Sequence, residues 1–133
     1  RLQEHIFYVD YEYIVKTTCA SRTIMFVDIE IYQYLVGNVN QSVDSQNYVR
    51  RFSHHDKVVK ELLCYSANTS YTGNIKAYLD KRIQLIIHSH YKIALIFDKD
   101  RKQGLSRGEE FKKYLQFHYP MYYKKTRKDI GKL

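Results

Sequence analysis

Two apolar stripes at helical spacing constrain this chain more than any other feature. Tyr48, Phe52, His55, Val59 and Leu62 recur at i, i+4, i+7, i+11 and i+14. Ile75, Leu79, Ile83, Ile86 and Ile87 make the second stripe. Residues so spaced stack on one face of an α-helix, and an apolar face must be covered. Asn68-Thr69-Ser70 breaks the pattern between them, which suits a turn between antiparallel neighbours. The spacing predicts two helices of about 24 residues that share a core.

Capping signals set the expected ends. Asp44 or Ser45 suits the N-cap of the first helix, which should run to about Ala67, and Thr72 or Asn74 suits the second. From Ile83 to Phe97 the chain is apolar on more than one face, so this should be the most buried helix. Gly104 is expected to end that region, and Ser106 with Glu109 has capping-box spacing. Phe111, Leu115, His118 and Tyr122 line a third helix, which Pro120 should stop or bend. The basic stretch after Tyr123 is expected to fray.

The first third reads differently. Residues 9–20 suit a short helix starting at Asp10, with Tyr11, Ile14 and Val15 on its apolar face. Thr23 to Val36 is β-branched and aromatic, and Val27, Ile29 and Ile31 alternate with Asp28 and Glu30. That pattern predicts two short strands bent near Asp28–Glu30. Residues 37–42 read as a loop. The expected fold class is mainly α with a small β element: a short helix and β-hairpin, then a bundle of two to three helices.

Length and composition narrow the functions available. The chain has 133 residues, 44% hydrophobic and 27% charged, which suits one soluble globular domain or a large piece of one. No apolar run approaches the roughly 18 residues of a membrane-spanning helix. Two cysteines, Cys19 and Cys64, are too few for a disulfide framework and lack metal-site spacing, so a reducing setting is expected. The chain begins at Arg1 with no signal-peptide pattern and no Met, and reads as a segment of a longer polypeptide. Fourteen tyrosines and no tryptophan imply a core whose hydroxyls need partners.

The net charge of +8 is concentrated late, since residues 98–133 hold eleven Lys/Arg against five Asp/Glu. Such a patch attracts phosphates of nucleic acid or of anionic lipid, or is simply a solvated helix end.

Few residues have the spacing of a chemical site. His88-Ser89-His90 places two imidazoles about 200° apart on a helix, which does not suit a metal pair. His54-His55-Asp56 has the same fault, and His55 on the apolar stripe reads as a core histidine. No metal site is expected in this chain. Asp98-Lys99-Asp100 follows an apolar run and would suit a divalent cation if that run were a strand, whereas on a helix it is only a polar terminus. Asp10 and Glu12 follow Ile6-Phe7-Tyr8-Val9. A carboxylate there can act as general base on a hydroxyl nucleophile, or can cap and stabilise the first turn of a helix.

Several of these pieces occur in a known order: Ile6-Phe7-Tyr8-Val9-Asp10-Tyr11-Glu12, then Phe26-Val27-Asp28 to Ile31-Tyr32-Gln33-Tyr34, then Gly37 and Asn40-Gln41-Ser42-Val43. The chain resembles the C-terminal part of bacterial family 2 glycosyltransferases of the GT-A fold, over roughly residues 5–65. The resemblance implies that residues 1–43 are the acceptor-side remnant of the catalytic domain and residues 44–133 a helical C-terminal extension with a basic tail. It implies transfer of a sugar from a nucleotide-sugar donor to an acceptor hydroxyl with inversion, in cell-surface polysaccharide or glycolipid synthesis. Asp10 falls on the family's catalytic Asp. Val9 stands where the family carries Glu, and an acid returns at Glu12, so both carboxylates are catalytic candidates. Asn40, Gln41 and Ser42 fall on the acceptor-side loop. The family's nucleotide-binding half, with its metal-holding Asp-x-Asp, precedes the matched region. The chain alone is therefore expected to be inactive and to hold no cofactor, while the full enzyme would use Mn²⁺ or Mg²⁺. The implied setting is cytoplasmic, with residues 99–132 against the anionic inner face of a membrane, no nucleic acid, and a homodimer admitted. Two other readings stay open: a non-catalytic helical interaction or oligomerisation domain, and a basic nucleic-acid-binding module in which Tyr119, Tyr122 and Tyr123 stack on bases.

Overall fold

The computed structural model of the chain describes residues 2–30, 32–33 and 44–131. Among them are six α-helices and no strand: α1 (Val9–Ala20), α2 (Ser45–Arg50), α3 (Phe52–Ala67), α4 (Gly73–Lys92), α5 (Arg101–His118) and α6 (Pro120–Ile130). A π-helical turn, Ile93–Phe97, extends α4.

The two stripes pair as expected. Val58, Val59, Leu62 and Leu63 of α3 meet Leu79, Ile83, Ile86 and Ile87 of α4 in one core. Val15 and Cys19 of α1 close one side of it, and Phe111, Leu115 and Tyr122 of α5 and α6 close the other. The result is a mainly helical, bundle-like fold.

Local signals explain several helix ends. Asp44 caps α2 by accepting from the Gln46 and Asn47 amides. Asp100 caps α5 in the same way, accepting from Lys102 and Gln103. Pro120 occupies the first turn of α6, where its missing N–H costs nothing, so α5 and α6 are separate helices joined at Tyr119.

Five expectations about these elements are corrected. The helix expected from Asp44 to Ala67 is broken at Arg51 (φ −103°, ψ 23°). The break sends Tyr48 onto Tyr8, with ring centroids 4.9 Å apart, and Phe52 onto His90 at 4.4 Å. On α1 the buried face is Glu12, Val15 and Cys19, while Ile14 points outward. Ser106 does not open a helix, because the Asp100 cap starts α5 earlier. Gly104 lies inside α5, where the π-turn crosses it: an added Cβ would stand 2.1 Å from the Ala94 carbonyl oxygen. The stretch after Tyr123 is helical to Ile130, held by buried Tyr122 and Thr126.

The small β element is not seen. Residues 22–30 have no regular structure, and Met25 and Phe26 are 82% and 95% exposed. A strand needs a neighbour for its amides, and the described residues offer no neighbouring strand there. Ile31 and residues 34–43, which hold the rest of the expected hairpin and loop, lie outside the described residues.

Candidate functional site

The N-terminal turn of α1 sets the position of Asp10. Tyr8 precedes the helix in a left-handed conformation (φ 68°), which turns the chain so that its ring stacks on Tyr48. Asp10 is exposed in the first turn and lines a cleft of about 270 Å³ between α1, α2, α3 and α4. Tyr11, His55, Arg82 and Ser89 also line this cleft. The Tyr11 hydroxyl donates to the Arg82 carbonyl at 2.8 Å, and the Arg82 guanidinium lies over the Tyr11 ring. Burial raises the Tyr8 and Tyr11 hydroxyl pKa values, so both are neutral donors at ordinary pH.

Glu12 lies two residues on and faces the other way, as helical geometry requires. Its side chain is fully buried. Its carboxylate accepts from Lys16 Nζ at 2.7 Å and from Gln3 Nε2 at 3.0 Å. Lys16 also reaches Glu61 at 2.7 Å. Burial alone would lower the Lys16 pKa, but the hydrogen bonds to Glu12 and Glu61 outweigh it and raise it. The two carboxylates are thus separated: Asp10 opens on a cleft, and Glu12 belongs to an internal ion-pair network. Asn40, Gln41 and Ser42 lie outside the described residues.

Asp98 and Asp100 do not form a carboxylate pair. The buried Asp98 accepts from Arg107 at 2.7 Å and from the Asp100 amide at 3.0 Å, while Asp100 caps α5. Ile93–Phe97 is a π-turn and not a strand, so Asp-x-Asp here is a helix boundary.

A pair of histidines brings the remaining polar chemistry inside. His55 of α3 and His90 of α4 stack at 5.2 Å with an interplanar angle of 15°, and their Nδ1 atoms are 3.0 Å apart. Burial lowers the His55 pKa to about 4. Burial also pushes His90 well below 6.5, helped by His55, Lys60 and Arg107. Both imidazoles are therefore neutral at physiological pH. His90 lines a second cavity of about 360 Å³, with Arg50, Asp56, Lys60 and Arg107 around it. No group of three or more His, Cys, Asp and Glu among the described residues is arranged to hold a metal ion. The signal for this pair was present in part: His90 continues the Ile83–Ile87 stripe at helical spacing, so both histidines belong to inward faces.

No helix among the described residues is long and apolar enough to cross a membrane. The basic helix α6 exposes Lys124, Lys125, Arg127 and Lys128. No family model matches the chain, and no curated protein or solved structure is similar enough to it to count as a match.

Proposed function

We propose that the chain is the acceptor-side, C-terminal helical region of an inverting glycosyltransferase of family 2. The observation that carries this reading is the state of Asp10. It is the residue on which the sequence motif puts the general base, it sits exposed at a cleft, and it has no hydrogen bond or ion pair with a described residue. A general base must reach a substrate hydroxyl, and a carboxylate consumed by an internal ion pair cannot. On this reading Asp10 takes the proton from the acceptor hydroxyl as the hydroxyl attacks the sugar's anomeric carbon. Glu12 braces the helix that carries it. The exposed apolar run Ile24–Ile29 lends a second support, since a nucleotide-binding half would supply the sheet it lacks. That half would bring the Mn²⁺ or Mg²⁺ and the diphosphate cradle, so the chain alone would not turn over. The setting proposed is cytoplasmic, with residues 99–132 toward an anionic membrane face.

The test is an assay of the polypeptide that carries this region together with a nucleotide-binding half. It uses a panel of nucleotide sugars with Mn²⁺, beside Asp10→Asn and Glu12→Gln. Loss of turnover in Asp10→Asn, at least about a hundredfold, is the expected result. Full turnover in that variant, or none in the folded wild type, removes the reading and puts a helical interaction domain first.

A further inference from the structure

The Asp10 cleft leaves the cavity on the other side of the histidine pair without a role. Its volume, about 360 Å³, falls in the ordinary range for small-molecule sites, about 300–1,000 Å³. The cavity lies between α2, α3, α4 and α5. At its inner wall His90 is 1% exposed, and its Nε2 atom makes no hydrogen bond. The nearest carboxylate oxygen, Asp56 Oδ1, stands 3.5 Å away, too far for a good bond. An unsatisfied buried polar atom destabilises the fold, and a ligand reaching it would relieve that loss.

The proton positions follow from the geometry. One Nδ1 of the pair must carry hydrogen and the other must accept. The Asp56 carboxylate beside His90 Nε2 favours hydrogen on that atom. His55 Nδ1–H then donates to His90 Nδ1, and His90, which lines the cavity, carries an unpartnered Nε2–H. A donor and a carboxylate acceptor thus stand 3.5 Å apart on two residues that line one space. One hydroxyl oxygen can satisfy both, accepting from His90 and donating to Asp56.

Charge argues for the same class of ligand. Arg50, Lys60 and Arg107 line the cavity, but so do Asp56 and Glu110, and Asp98 sits behind Arg107. Lys60 is paired with Asp56 at 2.6 Å and Arg107 with Asp98 at 2.7 Å. The charges balance, so the site has no excess for a bare phosphate and would set Asp56 and Glu110 against one. The rings of Phe52, Phe111 and Tyr114 complete the wall with apolar surface. Paired donors and acceptors over aromatic carbon suit a ring that is hydroxylated on its edges and C–H on its faces.

We propose that this cavity is a carbohydrate-binding site for a neutral sugar, one hydroxyl of which bridges His90 Nε2 and Asp56. It is distinct from the Asp10 cleft and does not depend on the catalytic reading. Under that reading it would hold a sugar unit away from the transfer step.

The test is NMR on the chain, following the imidazole nitrogens of His90 and His55. Methyl glycosides of neutral hexoses, deoxyhexoses, pentoses and N-acetylhexosamines are titrated in turn, with inorganic phosphate as the contrast. A saturable shift at His90 Nε2 with at least one sugar is expected, and Asp56→Ala should weaken it at least tenfold. Asp56 is a quarter exposed, so its truncation leaves the core intact, and circular dichroism checks that the variant is folded. A shift with phosphate alone, no shift with any sugar, or undiminished affinity in folded Asp56→Ala each overturns the proposal.

Discussion

His55 Nδ1 and His90 Nδ1 lie 3.0 Å apart across 35 positions of sequence, so one proton is shared along the contact between α3 and α4. The two rings cannot both become imidazolium without placing a second hydrogen in that gap. Their surroundings reinforce this: burial, His55, Lys60 and Arg107 all disfavour charge on His90, although Asp56 Oδ1 lies 3.5 Å from its Nε2.

The pair makes the fold acid-sensitive. Both histidines are neutral in the folded chain and titrate near 6.5 when unfolded. Above that value neither state binds the extra proton, and stability is at its full level. As pH falls below about 6.5 the unfolded state takes up protons that the folded state refuses, so stability drops until the folded values are passed. For His55 the window runs from about 6.5 to about 4, worth roughly 3 kcal/mol. His90 adds a loss of the same sign. Urea unfolding across this range should show a falling midpoint, and His90→Gln should cut the slope by about half. A midpoint flat with pH would mean that the pair is not buried as neutral imidazoles.

Gly104 is required by contact and not by its backbone angles. A methyl group there would meet the Ala94 carbonyl oxygen at 2.1 Å, inside any permitted distance. The π-turn and the first turns of α5 would have to separate, and overpacking of this kind costs about 1–3 kcal/mol or more. Gly104→Ala should lower the thermal midpoint by several degrees. Gly131→Ala, where the nearest atom is 3.5 Å away, should leave it within a degree or so. Equal effects would mean that the crossing accommodates a methyl group at Gly104.

How legible these features were in the sequence depends on whether a partner was needed. The α3–α4 pairing follows from two stripes, because an apolar face at helical spacing has few ways to be buried. The Asp44 cap was readable for the same local reason. The π-turn and the Gly104 crossing were not, because both depend on how α5 returns against α4. Ile24–Ile29 carries a strand-like alternation, yet alternation states only a preference for extended backbone and cannot supply a neighbouring strand. At the candidate site, Asp10 and Glu12 were marked by their place after an apolar run and by the motif. Their opposite fates, one at a cleft and one in an ion-pair network, follow once they sit two apart on a helix. The histidine pair was half visible, since each stripe showed its own member but nothing local joined them.

Tyr122 ties the last helix to the core through its hydroxyl. It donates to Asp80 at 2.6 Å and accepts from Ser66 at 2.7 Å, while Lys76 and Lys125 also bind Asp80. Burial alone would raise the Asp80 pKa, but these hydrogen bonds hold it down at about 2. A carboxyl so lowered adds stability above its unfolded value near 3.8, lost as pH falls through about 2. Tyr122→Phe should cost about 1–2 kcal/mol, because it strands the buried Ser66 hydroxyl. It should also move the Asp80 pKa upward, read by carboxyl carbon shifts. An unchanged Asp80 titration would assign the effect to the two lysines.

Asp10 and Glu12 should separate cleanly in stability, whatever the chemistry of the chain. Asp10 is exposed and has no partner among the described residues, and its one structural contribution is a negative charge in the first turn of α1. Asp10→Asn should therefore cost less than about 1 kcal/mol. Glu12 is fully buried and binds Lys16 and Gln3. Glu12→Gln keeps the shape but removes the charge opposite the half-buried Lys16, which keeps its bond to Glu61. Breaking a buried pair costs about 3–5 kcal/mol, and the surviving Glu61 contact should reduce this to about 1–3. Urea midpoints of the two variants beside the wild type decide the matter. A large loss in Asp10→Asn would mean that its carboxylate holds the fold together, and the case for a free base at the cleft would fall with it.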